Sequence, residues 1–106
     1  MTGCCLLTTT VNAESAAAEI ATTLVTERLA ACVQEIGPVQ STYWWEGKLA
    51  SAVEWLCVAK TTDQAAAAAI ARIKAMHAYE LPELILTPIT GGDSTYLGWI
   101  GREITP

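Results

Sequence analysis

Charge is scarce in this sequence: only 16% of its 106 residues are charged, against about 25% in an average soluble domain. Its six Lys and Arg residues are scattered, with no basic cluster, and the net charge is −5. Nucleic-acid binding by counterion release needs several convergent basic groups, so no nucleic-acid partner is expected. The acidic balance is read first as a means of solubility. Long apolar runs are also missing, and nothing approaches the roughly 20 residues needed to span a bilayer. No membrane partner is therefore expected. The chain does not open on a basic stretch followed by an apolar core and a small-residue cleavage site, which points to a cytoplasmic protein rather than an exported one. No C-x-x-C pair occurs among Cys4, Cys5, Cys32 and Cys57. A zinc ribbon and a thioredoxin-type redox site are thereby set aside, and four reduced, buried thiols are expected. The nucleophile motif G-x-S-x-G and the phosphate-binding Gly-rich motifs are absent, and His77 is the one histidine. No catalytic pair is legible, so an enzyme is not expected.

Hydrophobic residues, by contrast, make up 52% of the chain. A length of 106 residues argues for one domain, 1–106. A small monomer cannot hide that much apolar surface, so self-association is expected. The stretch that carries most of this load runs from Val39 to Lys60. It reads as one long β-hairpin turning near Glu46-Gly47, rich in β-branched and aromatic residues and holding three of the four Trp. Its second arm ends in an unbroken apolar run, Trp55 to Ala59, which implies cover on both faces.

Around this hairpin the chain reads as follows. Gly3 to Thr10 is a buried strand. Asn12 looks like the N-cap of a helix whose Ala17, Ile20, Ala21, Leu24, Val25 and Leu29 repeat at helical spacing, ending near Ala30 or Ala31. Cys32 to Ile36 begins a second strand, interrupted at Gly37-Pro38 by a bulge or edge position. Thr61-Thr62-Asp63-Gln64 has the form of a capping box and launches an alanine-rich helix reaching His77. Leu84 to Ile89 is a short strand, and Asp93 or Ser94 caps a final helix. The order β-α-β-β-α-β plus a terminal helix predicts an α+β, ferredoxin-like sandwich with two helices on one face of an antiparallel sheet. Nothing in the chain covers the other face, and copies stacking sheets inward would do so.

Functional groups are densest from Met76 to Glu83, in the connection between the second helix and the last strand. His77 is a natural ligand for a transition metal, and Glu80 and Glu83 add oxygen ligands. The structural alternative is a helix-terminal His77 that caps carbonyls, with Tyr79 packed below it. Lys60, at the end of the apolar strand, offers a cation to an anionic ligand or is simply solvated.

Five stretches then converge on one family. They are Glu27-Arg-Leu-Ala-Ala-Cys-Val33, Ser41-Thr-Tyr-Trp-Trp-Glu-Gly-Lys48, Lys60-Thr61, His77-x-Tyr79-Glu80-x-Pro82-Glu83, and Pro88-Ile-Thr-Gly-Gly-Asp-Ser-Thr-Tyr96-Leu-Gly-Trp99. In this order and spacing they resemble the CutA divalent-cation tolerance family over nearly the whole chain. The resemblance implies a ferredoxin-like subunit in a tight homotrimer assembled by the long hairpin strands. It also implies weak binding of copper or another divalent cation. Cys32, Trp45, Lys60, His77, Tyr79 and Glu83 match positions that the family gathers near a cleft between subunits. The metal candidates are thus His77, Glu80, Glu83 and Cys32, and the cleft candidates Trp45, Lys60 and Tyr79. The sequence departs from the family at three positions. Thr9 stands where some bacterial relatives have a cysteine implicated in metal binding, Met76 where a second histidine occurs, and Ala78 where proline is usual. A second reading is a regulatory trimer resembling PII-type proteins, taking an anionic or planar small molecule between subunits. A third is a scaffold that presents loops to a protein partner.

Overall fold

The computed structural model describes residues 2–104. The elements are β1 (Cys4–Val11), α1 (Glu14–Thr26), β2 (Cys32–Trp45), β3 (Lys48–Thr62), α2 (Asp63–Met76), β4 (Ile85–Pro88) and α3 (Ser94–Ile104). The four strands form one antiparallel sheet in the order β2-β3-β1-β4. This is the expected split βαβ topology with an added C-terminal helix.

Alternation along the strands sorts side chains between two very different faces. On β1, Cys5, Leu7, Thr9 and Val11 are buried. On β3, Cys57, Ala59 and Thr61 are buried as well. Together with Ala17, Ile20 and Leu24 of α1 and Ala69 and Ile73 of α2, Leu7, Val11, Cys57 and Ala59 make the main core. Alanines along α2 let that helix lie close to the sheet. A second cluster joins Cys4 to Ile100 and Ile104 of α3. The opposite face carries Leu6, Thr8 and Thr10 of β1, paired with Lys60, Val58 and Leu56 of β3. α3 packs over one end of this face, at Cys4 and Lys60, whereas Ile36 and Ile85 farther along it are about half exposed.

The hairpin is the longest feature. β2 and β3 stay paired from Cys32↔Lys60 to Trp45↔Lys48, with one register shift between Ile36 and Val39 at Gly37-Pro38. Glycine is required there because a Cβ would stand 2.8 Å from Cγ of the Trp55 indole. Glu46 (φ 52) and Gly47 (φ 77) form the two-residue turn, both in the left-handed region that such tight hairpins favour.

Three local expectations need correction. The N-cap of α1 is Ala13, without a side-chain cap, and Asn12 is exposed beside it. The same helix stops at Thr26 and not near Ala30. Arg28 takes φ 61, and the Arg28 and Leu29 N–H groups close on the Val25 and Leu24 carbonyls. That is a Schellman ending with arginine in the place glycine normally fills. At α2 the cap is Thr62, whose Oγ1 accepts from Ala65 N–H at 3.2 Å, while the Thr61 hydroxyl donates to the Leu29 carbonyl at 2.7 Å. At α3, Asp93 caps as expected, accepting from Tyr96 N–H at 3.0 Å.

Candidate functional site

A cleft of about 910 Å³ lies between the outer hairpin and the connection from α2 to β4. Its walls have different origins. The hairpin gives Tyr43, Trp44, Trp45 and Glu54, because its twisted outer arms extend beyond the sheet that α1 and α2 cover. The connection gives Tyr79, Glu80 and Glu83, held in place by the end of α2.

His77 is the anchor of that connection. It is the C-cap of α2 and its backbone N–H donates to the Ile73 carbonyl. Its Nδ1 accepts from Tyr79 N–H at 3.1 Å. An acceptor at Nδ1 places the proton of a neutral ring on Nε2. Nε2–H then donates to the Thr10 carbonyl at 2.9 Å, with Thr9 Oγ1 at 3.2 Å. Both ring nitrogens are thus engaged within the chain, tying the α2–β4 connection to the end of β1. The Tyr79 ring packs against the imidazole at 4.8 Å between centroids. The Thr9 hydroxyl, on β1, neighbours the histidine at 3.2 Å.

Tyr79 continues from this anchor to Glu54, its hydroxyl donating to Oε2 at 2.7 Å. Burial, and then the carboxylate of Glu54, push the Tyr79 phenol well above its ordinary range. Glu54 is only 6% exposed. The sequence does not mark it as functional, since a lone Glu between Val53 and Trp55 reads as a strand residue. Its one signal is position, as a charge at the edge of an otherwise apolar arm. Glu80 and Glu83 are exposed at the rim.

The cleft therefore brings together Trp45, Tyr79, Glu80 and Glu83, with His77 bracing them from behind. Cys32 and Lys60 lie elsewhere in the chain. They pair across β2 and β3 at the α3 end of the sheet, six residues along β3 from Glu54 and so roughly 20 Å away. Lys60 donates to the Tyr96 hydroxyl at 3.3 Å and stands 5.5 Å from the centre of that ring. No Lys, Arg or His lines the cleft. An anionic ligand would find no counter-charge there within this chain, so the PII-like reading is not favoured. Among the described residues no three His, Cys, Asp or Glu side chains cluster closely enough to hold a metal ion. Cys4, Cys5 and Cys57 are free and buried, and Cys32 is free and half-buried. Burial, with a smaller push from Glu35, raises the Cys57 thiol to about 11.

Comparison with known proteins agrees with this architecture. The family described as CutA1 divalent ion tolerance protein matches residues 5–103. A Thermus thermophilus divalent-cation tolerance protein CutA is 43% identical over 96 residues, covering 91% of this chain and 92% of that one. The chloroplastic protein CutA 1 of Oryza sativa subsp. japonica is 40% identical over 91 residues, covering 86% of this chain. The match spans about half, 51%, of the rice protein's length. The crystal structure of CutA from Xylella fastidiosa superposes with a TM-score of 0.94 at 39% identity, covering 96% of this chain and 98% of that one. With the motifs, the strand order and the helices all in agreement, the chain belongs to the CutA1 divalent ion tolerance family.

Proposed function

We propose that this chain is a homotrimeric, non-enzymatic divalent-cation tolerance protein, folded as one domain over residues 1–106 and working in the cytoplasm. Its metal, copper or another divalent cation, binds weakly. The observation that carries the reading is the acidic cleft: Glu54, Glu80 and Glu83 line it and no cationic side chain does. Glu80 and Glu83, exposed at the rim, are the metal ligands. Oxygen ligands from so few side chains give a weak, exchangeable site, and water or a neighbouring subunit completes the shell. Cys32 is the candidate soft ligand contributed by such a neighbour. His77 serves chiefly by holding the rim in place, since metal at either ring nitrogen would displace a hydrogen bond that it now makes.

Membership in a family whose relatives bear divalent-cation tolerance in their names supports the cation link. No described helix is long and apolar enough to cross a membrane. Assembly is supported by the exposed apolar surface of the hairpin, where Trp44 is 74% and Leu49 68% exposed. Surface of that kind in a soluble chain marks an interface.

Calorimetric titration with Cu(II) tests the assignment. The double variant Glu80→Gln with Glu83→Gln should lose at least tenfold in affinity, and His77→Ala, at a temperature where it remains folded, should stay within about threefold of the parent. A titration in which His77→Ala abolishes binding and the Gln pair leaves it unchanged would reverse the roles of these residues.

A further inference from the structure

The last helix is attached to the fold differently from α1 and α2. Those two pack in the main core with Leu7, Val11, Cys57 and Ala59. α3 has a seat of its own, where Ile100 and Ile104 close over Cys4, with Ala31, Ala65 and Ile89 around them. Cys4 is buried there, and its thiol donates to the Leu97 carbonyl at 3.8 Å. The root of this segment is fixed on β1. The Ile89 N–H donates to the Cys4 carbonyl at 3.0 Å, and the Thr2 hydroxyl donates to the Ile89 carbonyl at 2.6 Å. Between root and helix lie Thr90-Gly91-Gly92-Asp93, all exposed, and two adjacent glycines leave that backbone wide conformational freedom. At the far end, Arg28 Nη1 donates to the Glu103 carbonyl at 2.8 Å. That carbonyl is among the last four of α3, which have no partner within the helix.

Arg28 sits at φ 61, a backbone conformation that glycine adopts freely and that strains a residue with a Cβ. Glycine would end α1 with less strain. What arginine adds is the bond to α3. We propose that α3 is a releasable strap, hinged at Gly91-Gly92 and held shut at its far end by Arg28. It opens while the main core stays folded, and its opening exposes Cys4 and the end of the sheet beneath it. A helix with a small separate seat and a solvent-exposed clip has an opening reaction of its own, less costly than global unfolding. The Lys60 contact with the Tyr96 hydroxyl, at 3.3 Å, is a second and weaker tie near the start of the helix. Cys57 belongs to the main core, so a reagent reaches it only when that core unfolds.

The test is alkylation of the native full-length protein by iodoacetamide, at fixed pH and with a chelator present. Peptide mass spectrometry follows each cysteine, and each rate is normalised to that of the urea-unfolded chain. Cys4 should react at least about tenfold faster than Cys57, because sub-global opening is more frequent than global unfolding. Arg28→Gly relieves the turn and removes the clip. Cys4 should then react about fivefold faster than in the parent, as for loss of an exposed hydrogen bond from a charged donor. Cys57 should change by less than about twofold, since the main core is untouched. Ile100→Val, which trims the strap's seat, should raise Cys4 labelling about threefold with Cys57 again unchanged. Hydrogen exchange of the α3 amides should rise together with Cys4 labelling in both variants. Should Arg28→Gly fail to fold, Ile100→Val carries the test of separate opening. The proposal is overturned by equal normalised rates at Cys4 and Cys57 in the parent. It is overturned equally by parental Cys4 rates in the folded variants, or by faster Cys4 labelling with no change in α3 exchange.

Discussion

At the end of α2 a single imidazole joins three parts of the fold: the helix, the end of β1 and the connection to β4. Removing it in His77→Ala leaves the Tyr79 N–H and the Thr10 carbonyl without their partner. The expected cost is about 1–3 kcal/mol in urea unfolding, and a stability within 0.3 kcal/mol of the parent, roughly the noise of such measurements, would contradict the bracing role. A second residue-scale expectation concerns alkaline pH. Burial raises Cys57 from the ordinary 9.0 to about 11, so the native state keeps a proton that the unfolded state loses. The native state then binds more protons than the unfolded one between these values, and stability falls as pH rises from about 9 to 11. Cys5 and Tyr79 are raised too, again mainly by burial, and they push in the same direction. The Cys57 share has an upper bound of about 3 kcal/mol. In Cys57→Ala the stability lost between pH 9 and 11 should be measurably smaller than in the parent, and an identical pH slope would count against this cause. Individual residues were the least legible level of the sequence. His77 stands out as a lone histidine in a loop, but what it bonds to depends on how β1 and α2 meet. Glu54 is unremarkable until the α2–β4 connection folds back over it.

Among the elements, the hairpin is where local chemistry and packing agree most closely. The Glu46-Gly47 turn, the β-branched arms and the Gly37-Pro38 interruption are all readable in the sequence and all present. What the sequence does not display is the reason for the interruption, the Trp55 indole lying against the Gly37 backbone. Gly37→Ala forces that ring or the strand to shift. A loss of about 1–3 kcal/mol is expected, as for overpacking elsewhere, and an unchanged urea midpoint would contradict the close packing. Helix ends were legible where a standard residue marks them, as Asp93 does for α3. They were missed where it does not. The end of α1 uses Arg28 in a left-handed conformation in place of glycine, and its start has no side-chain cap at all. The capping box at α2 starts one residue later than its sequence form suggests, because Thr61 and Thr62 are both able to cap. Thr61 is drawn instead to the Leu29 carbonyl, a partner 32 residues away.

The whole molecule is elongated, 44 × 25 × 22 Å, with a radius of gyration of 14.3 Å, above the roughly 13 Å typical of 100 compact residues. The excess length is the outer hairpin, and that is also where Trp44, Leu49 and Val53 face solvent. The sheet face left open beyond α3 and this apolar arm both follow from the pattern of elements. Which surfaces meet in an assembly does not, because that depends on the twist of β2 and β3 and the reach of the α2–β4 connection. Trp44→Ala combined with Trp45→Ala removes the largest exposed apolar groups and should raise the concentration below which the proposed trimer dissociates on dilution. Native mass spectrometry of the copper-loaded protein reads subunit number and bound metal together, and tests the central claim most directly. The expected species has three times the 11.3 kDa subunit mass and carries copper that the Glu80→Gln, Glu83→Gln variant loses. A monomer at micromolar concentration, or copper retained unchanged by that variant, would contradict it.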